Sequence, residues 1–94
     1  MKIIAFEIEV EGVASQQFAP HLRAESLKVL ELFEKGIVRE IFFDQSHCAV
    51  IILECSNLEE AESILKELPL VKNGLIHFDL RELNPYTGFS RLLN

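Results

Sequence analysis

Apolar and polar positions alternate from Ile3 to Val10, with Ile4, Phe6, Ile8 and Val10 on one side and Ala5, Glu7 and Glu9 on the other. A period of two predicts a strand. Glu11 to Gln17 reads as a loop turning at Gly12. Beyond it the period lengthens. Leu22, Ser26, Val29, Leu30 and Phe33 fall on one face of a helix that starts near Ala19, with Pro20 in its first turn. Lys35 suits the negative helix end, and Gly36 supplies a left-handed closing residue. Ile37 to Phe43 reads as a second strand. Asp44 to His47 is a turn too short for a crossover, so the strand that follows, Cys48 to Cys55, is antiparallel to it. Asn57 caps a second helix, with Glu60 in the capping-box position and Leu58, Ala61, Ile64, Leu65 and Leu68 as its buried stripe. Pro69 stops that helix. After a short connection, Leu75 to Leu83 forms a fourth strand. Ile76, Phe78 and Leu80 face one way on it, His77, Asp79 and Arg81 the other.

The order β-α-β-β-α-β predicts an α+β ferredoxin-like plait: a four-stranded antiparallel sheet with two helices on one face. Two helices cover only one side of a sheet. The third strand is nevertheless apolar on both sides, through Val50 and Ile52 and through Ala49, Ile51 and Leu53. A second copy of the same sheet is the expected cover. The tail, residues 85–94, is too apolar for a loose end. Pro85, Tyr86 and Phe89 are expected to pack on the partner or across a cavity mouth.

Composition narrows the function classes. Ninety-four residues make one domain. A net charge of −6 disfavours nucleic acid and anionic lipid surfaces as partners. The apolar runs are short, so no membrane span is expected. Glu7 and Glu9 interrupt the N-terminal apolar stretch, which argues against an export signal. Cys48 and Cys55 are an odd number of residues apart, on opposite faces of one strand and roughly 23 Å from each other, so they do not pair. They read as small buried hydrophobes in a reducing, cytoplasmic setting.

Candidate chemistry gathers on the sheet face away from the helices. Strands one and four are neighbours in a plait. Glu7 and Glu9 from the first and His77, Asp79 and Arg81 from the last are therefore expected to meet in one cavity, with Arg39 or Glu40 added from the second strand according to register. A histidine near carboxylates suits general acid–base work, and a mostly apolar cavity with converging polar groups is the usual small-molecule site. The same charges also suit a structural role, blocking further pairing at an edge strand or bridging between strands. His21 falls on the first turn of helix one. His47 and Cys48 adjoin in the hairpin turn without metal or nucleophile spacing. No phosphate loop, nucleophile elbow or zinc pattern is present.

Leu65-x-x-Leu68-Pro69-Leu70, followed by a hydrophobic strand ending near Leu83 and then Pro85, resembles the C-terminal half of muconolactone isomerases. Gly36 before strand two and the strand Val50 to Glu54 are also similar. The ending Pro85-Tyr86-x-Gly88-Phe89 is like that of the small members of the family. The resemblance covers most of the chain and implies a dimeric α/β barrel, two plaits joined sheet to sheet, sometimes assembled further. It implies a proton moved within an unsaturated lactone, with no cofactor and no metal. The expected roles are His77 or Glu7 as base and Arg81 or Arg39 as the cation for a developing enolate. Glu9, Asp79, Glu40 and Tyr86 are expected to line the substrate. A non-catalytic dimeric metabolite-binding or interaction module and a cofactor-independent oxygenase are the alternatives on the same fold.

Overall fold

The computed structural model describes residues 1–93; the last residue of the expected tail, Asn94, lies outside them. Four strands, β1 (Lys2–Glu9), β2 (Val38–Phe43), β3 (Ala49–Glu54) and β4 (Ile76–Leu83), form one sheet in the order β2-β3-β1-β4. Every neighbouring pair is antiparallel. Helices α1 (Leu22–Glu34) and α2 (Leu58–Leu65), with the single turn α3 (Pro69–Lys72), cover one side. This is the ferredoxin-like plait that the element order predicts.

Local chemistry accounts for the boundaries. Asn57 Oδ1 accepts from the Glu60 amide at 2.8 Å and opens α2. Gly36 has φ +80°, the left-handed conformation that ends α1 cheaply only for glycine. Pro69 both stops α2 and starts α3, because it lacks an amide and its φ suits a first helical position. The expected plain connection is therefore a helical turn. Residues 15–21, read as loop and helix start, form two short 3₁₀ turns, Ser15–Gln17 and Ala19–His21, and Pro20 lies in the second.

The core lies between sheet and helices. Ile3, Ile51, Leu53, Leu68 and Val38 are its largest fully buried side chains. A second small cluster, Leu70, Leu75 and Ile76, closes the end of the sheet against Val13 and Phe18. On α1 the buried side chain is Leu32, with Val29 packed beside it. The expected stripe is thus turned: Leu22, Leu30 and Phe33 are about half exposed. Apolar residues cover so much of this helix that its own periodicity does not select one face.

β1 is turned as well. Ile3 and Ala5 are fully buried under the helices, whereas Ile4, Phe6 and Ile8 lie on the open side. Paired residues of adjacent strands share a face. Ala5 is opposite Leu80 and Glu7 opposite Phe78 on the helix side; Ile4 is opposite Arg81, Phe6 opposite Asp79 and Ile8 opposite His77 on the open side. On β3 the two alternatives resolve in the same way, with Ala49, Ile51 and Leu53 buried and Val50 and Ile52 on the open face.

Candidate functional site

Two polar groupings result, one on each side of the sheet. The open face carries an apolar field made by Ile4, Phe6 and Ile8 of β1 and by Val50 and Ile52 of β3, with Phe42 at its β2 end. His77, Asp79 and Arg81 flank this field along β4. Arg81 Nη2 lies 3.3 Å from Asp79 Oδ2, and its guanidinium stands 5.9 Å from the centre of the Phe6 ring. Such an exposed pair is worth about 0–1 kcal/mol in water. Glu40 joins the same face, because it pairs with Ile52. Arg39 does not. It occupies the bulge between Val38 and Glu40, and its Nε donates to the Gly36 carbonyl at 2.6 Å. At the outer margin of β4, His77 borders a cleft of about 100 Å³ with Glu62 of α2 and Lys66 just after it, over Leu65, Phe78 and Leu80.

Glu7 and Glu9 belong to the other side. The expected meeting of these acids with His77, Asp79 and Arg81 in one cavity is therefore not what the fold produces. The alternation along β1 is right, but the layer is reversed, because Ile3 and Ala5 fill the space beneath the helices. Tyr86 stands apart from both groupings, in the tail.

What holds Glu7 under the helices is a backbone amide. The β1–β3 ladder ends at Phe6 and Val50, and the next amide, that of Ala49, donates to Glu7 Oε1 at 2.9 Å. Glu25 does the same for α3. Pro69 has no amide and Leu68 offers no capping side chain, so the Leu70 amide would lack a partner; it donates to Glu25 Oε1 at 2.9 Å. Burial pushes both carboxyls above the ordinary 4.5, against the lowering effect of these hydrogen bonds, and neighbouring carboxylates add to the rise. Glu25 lies outside the set of residues that the sequence singles out. Its signal in the sequence is an acid one helical turn before Val29 on the buried side of α1.

A carboxyl whose folded pKa is raised stabilises the fold below its unfolded value and loses that contribution as pH rises through the folded value. Glu7→Gln keeps the oxygen that accepts from Ala49 and cannot ionise. Its melting temperature is expected to fall less than that of wild type as pH is raised from 4.5, the ordinary value, to 7. An equal or steeper fall in a pH series of thermal melts would contradict this.

The hairpin residues are structural. Asp44 Oδ1 accepts from the amides of Ser46, at 2.8 Å, and Cys48, at 3.0 Å. His47 adopts φ +62° and stacks on Phe43 with ring centres 4.0 Å apart. The Cys48 thiol is pushed up by burial and by the Glu7 and Asp44 carboxylates, the reverse of what a nucleophile needs. Among the described residues, no group of three or more His, Cys, Asp or Glu side chains is placed to hold a metal. None of the helices they form is long and apolar enough to cross a membrane.

No protein-family model matches this chain, and neither does any curated protein. Among solved structures it is similar to 5-chloro-2-hydroxyhydroquinone dehydrochlorinase from Burkholderia phenoliruptrix AC1100, determined in complex with 2,5-dihydroxybenzoquinone. The TM-score is 0.73 at 15% identity, and the match covers 94% of this chain and 98% of that one. The likeness is one of fold. It establishes the ferredoxin-like class and shows that the same chain trace occurs in a protein named for small-molecule chemistry.

Proposed function

We propose that two copies of this chain pair through their open sheet faces, in the manner of a dimeric α/β barrel, and that the space between them is a cofactor-free small-molecule site of the muconolactone isomerase type. The observation that carries this reading is the arrangement of the open face: an apolar field bordered by one imidazole, one carboxylate and one guanidinium in a row on β4. Monomeric proteins rarely leave so continuous an apolar surface in water. Pairing would remove water from Asp79 and Arg81 and strengthen their interaction with each other and with any charged ligand.

The chemistry this row supports is proton transfer beside a carbonyl. The imidazole of His77 takes a proton from the carbon next to the carbonyl. The electron pair moves onto the carbonyl oxygen, where the Arg81 guanidinium holds the developing enolate, and His77 returns the proton at the far end of the conjugated system. Asp79 keeps Arg81 aimed. Isomerisation of an unsaturated cyclic carbonyl compound needs nothing more, and atoms and charge balance. A non-catalytic dimeric module binding a metabolite in the same space is the second reading. It is favoured by the Arg81–Asp79 pair, which is already complete without a ligand.

Solvent-deuterium exchange into unsaturated lactones, followed by mass spectrometry beside thermal shift, tests this. Wild type is expected to bind and to exchange one carbon-bound proton. His77→Ala is expected to lose about 10²-fold or more of the exchange rate, the usual contribution of a general base. Its melting temperature should not change, since His77 is exposed in the single chain. Equal exchange by both proteins would overturn the role of His77, and binding without exchange in wild type would favour the module.

A further inference from the structure

The tail is a built element with nothing beneath it. Tyr86, Phe89, Leu92 and Leu93 are 68–84% exposed. Among the described residues, the 3₁₀ helix Gly88–Leu93 makes no substantial contact with any other element. The chain extends over 58 × 27 × 21 Å with a radius of gyration of 15.4 Å, against about 12 Å for a compact domain of this length. The excess lies along one axis, as an arm leaving the end of β4 would produce. Yet the arm has internal order. The Tyr86 ring lies against Gly88 so closely that a Cβ there has no room, and it meets the Phe89 ring edge-on at 5.0 Å. The Thr87 carbonyl accepts from both the amide and the hydroxyl of Ser90. An arm ordered in advance gives up little entropy when it docks.

A matching surface lies at the opposite edge of the sheet, on the helix side. One flank of α1, with Ala24, Leu27 and Glu31, looks toward Pro69 and Lys72 of α3. Leu22, Leu30 and Phe33 are absent from that lining and half exposed, and α1 packs against β2 as well as against α3. On β2, Ile41 and Phe43 point to the helix side, because they pair with Ile51 and Ala49. Phe33 is 52% and Phe43 63% exposed. Sheet-to-sheet pairing covers the opposite face and leaves this flank bare.

We propose that residues 84–93 of each copy dock on the α1–β2 flank of the other copy, so that the dimer exchanges arms. This rests on the pairing of open faces proposed above. With the two-fold axis along the strands, β4 of one copy lies over β2 of its partner, and the arm leaves β4 beside the flank it would cover. Its own flank lies on the far side of the sheet, three strand spacings or about 14 Å away. The arm's one charge among the described residues, Arg91, suits a chain of net charge −6. Both apolar surfaces are then buried by one contact made twice, and the arm straps the rim of the space between the sheets.

Tyr86 is the sole tyrosine in a chain without tryptophan, so tyrosine fluorescence reports the arm alone. Acrylamide quenching is measured on wild type, on Phe33→Glu, and on Phe33→Glu mixed with Tyr86→Phe, with sedimentation velocity on each sample. Leu30→Glu serves as a second flank variant. The expected result is protection of Tyr86 in the wild-type dimer and loss of that protection in Phe33→Glu and Leu30→Glu. Protection should return on mixing, where the arm of a Phe33→Glu subunit meets the intact flank of a fluorescently silent partner. A wild-type dimer with a fully quenchable Tyr86 would overturn arm docking and leave the pairing of open faces standing. Protection unchanged by both flank variants would place the arm elsewhere and overturn the proposal. A wild-type monomer would overturn both readings together.

Discussion

Aspartate in place of Ile52 is expected to leave a folded chain that no longer self-associates, whereas aspartate in place of the neighbouring Ile51 is expected to abolish folding. The two residues differ only in the direction of their side chains. Ile51 is 1% exposed, within the cluster formed with Ile3, Leu53 and Leu65. A carboxylate there has no partner and no water. Its desolvation costs several kcal/mol, and the lost isoleucine packing adds about 2–5 kcal/mol. Domains of this size have about 5–15 kcal/mol of stability in total. Thermal melts of Ile51→Asp are expected to show no cooperative transition.

Ile52 points to the open face, between Ile4 of β1 and Glu40 of β2. A charge there is hydrated in the single chain and is stripped of water only when a second sheet covers it. About 3–5 kcal/mol per copy is expected to be lost from association, and with two copies in the dimer this is on the order of ten-thousandfold or more in the dissociation constant. Sedimentation velocity with circular dichroism separates the outcomes. A dimer that survives Ile52→Asp, or a chain that unfolds with it, would show that the open face is not the interface.

Leu68→Ala is expected to be the most destabilising of the apolar truncations. Leu68 is fully buried where α2 gives way to α3, and it is the residue immediately before Pro69. Its removal leaves a cavity that the neighbouring backbone cannot easily fill, because Pro69 fixes the entry to α3 and the Leu70 amide is tied to Glu25. A loss of about 3–5 kcal/mol is expected, the upper part of the range for leucine truncation. A loss below about 1.5 kcal/mol in denaturant titration, the size expected of a volume-conserving change, would mean that the elbow is pliable and that the Leu-Pro-Leu signature is not a packing device. Oligomeric state should be unaffected, since Leu68 lies away from the open face.

Much of the architecture is legible from periodicity. β4 alternates cleanly enough to place His77, Asp79 and Arg81 on the face away from the helices, and the hairpin between Phe43 and Ala49 is too short for anything but antiparallel pairing. Asn57 and Gly36 mark helix ends by chemistry that acts within a few residues. What periodicity does not settle is which side of β1 lies under the helices. One side holds Ile4, Phe6 and Ile8; the other holds Ile3 and Ala5 but also Glu7 and Glu9, and both sides are apolar enough at their buried end to lie under helices. What decides it is packing between residues far apart in the chain: Ile3 and Ala5 in the core with Ile51 and Leu53, and the Ala49 amide on Glu7 beside them. α1 shows the same limit, since its apolar residues surround most of the helix and the choice of Leu32 as the buried one comes from its neighbours.

The candidate site was legible in half. Its β4 row follows from local alternation, while the acids assigned to it from β1 lie in the other layer. Arg39 shows a further cause: a bulge is invisible in the pattern of residues, and it moves Arg39 out of the face and Glu40 into it. Physically, faces of single strands can be read locally, but a site made by two strands depends on a register that only the packed sheet sets.

A small-molecule site between two open sheet faces requires that the dimer, and not the single chain, hold the ligand. Native mass spectrometry of the purified protein, set beside Ile52→Asp, tests it most directly. The expected result is a mass of two chains, each of 10.7 kDa, that retains an added lactone or related cyclic carbonyl compound, and a single chain retaining none for Ile52→Asp. A wild-type protein that flies as one chain, or an adduct retained equally by the Ile52→Asp monomer, would contradict it.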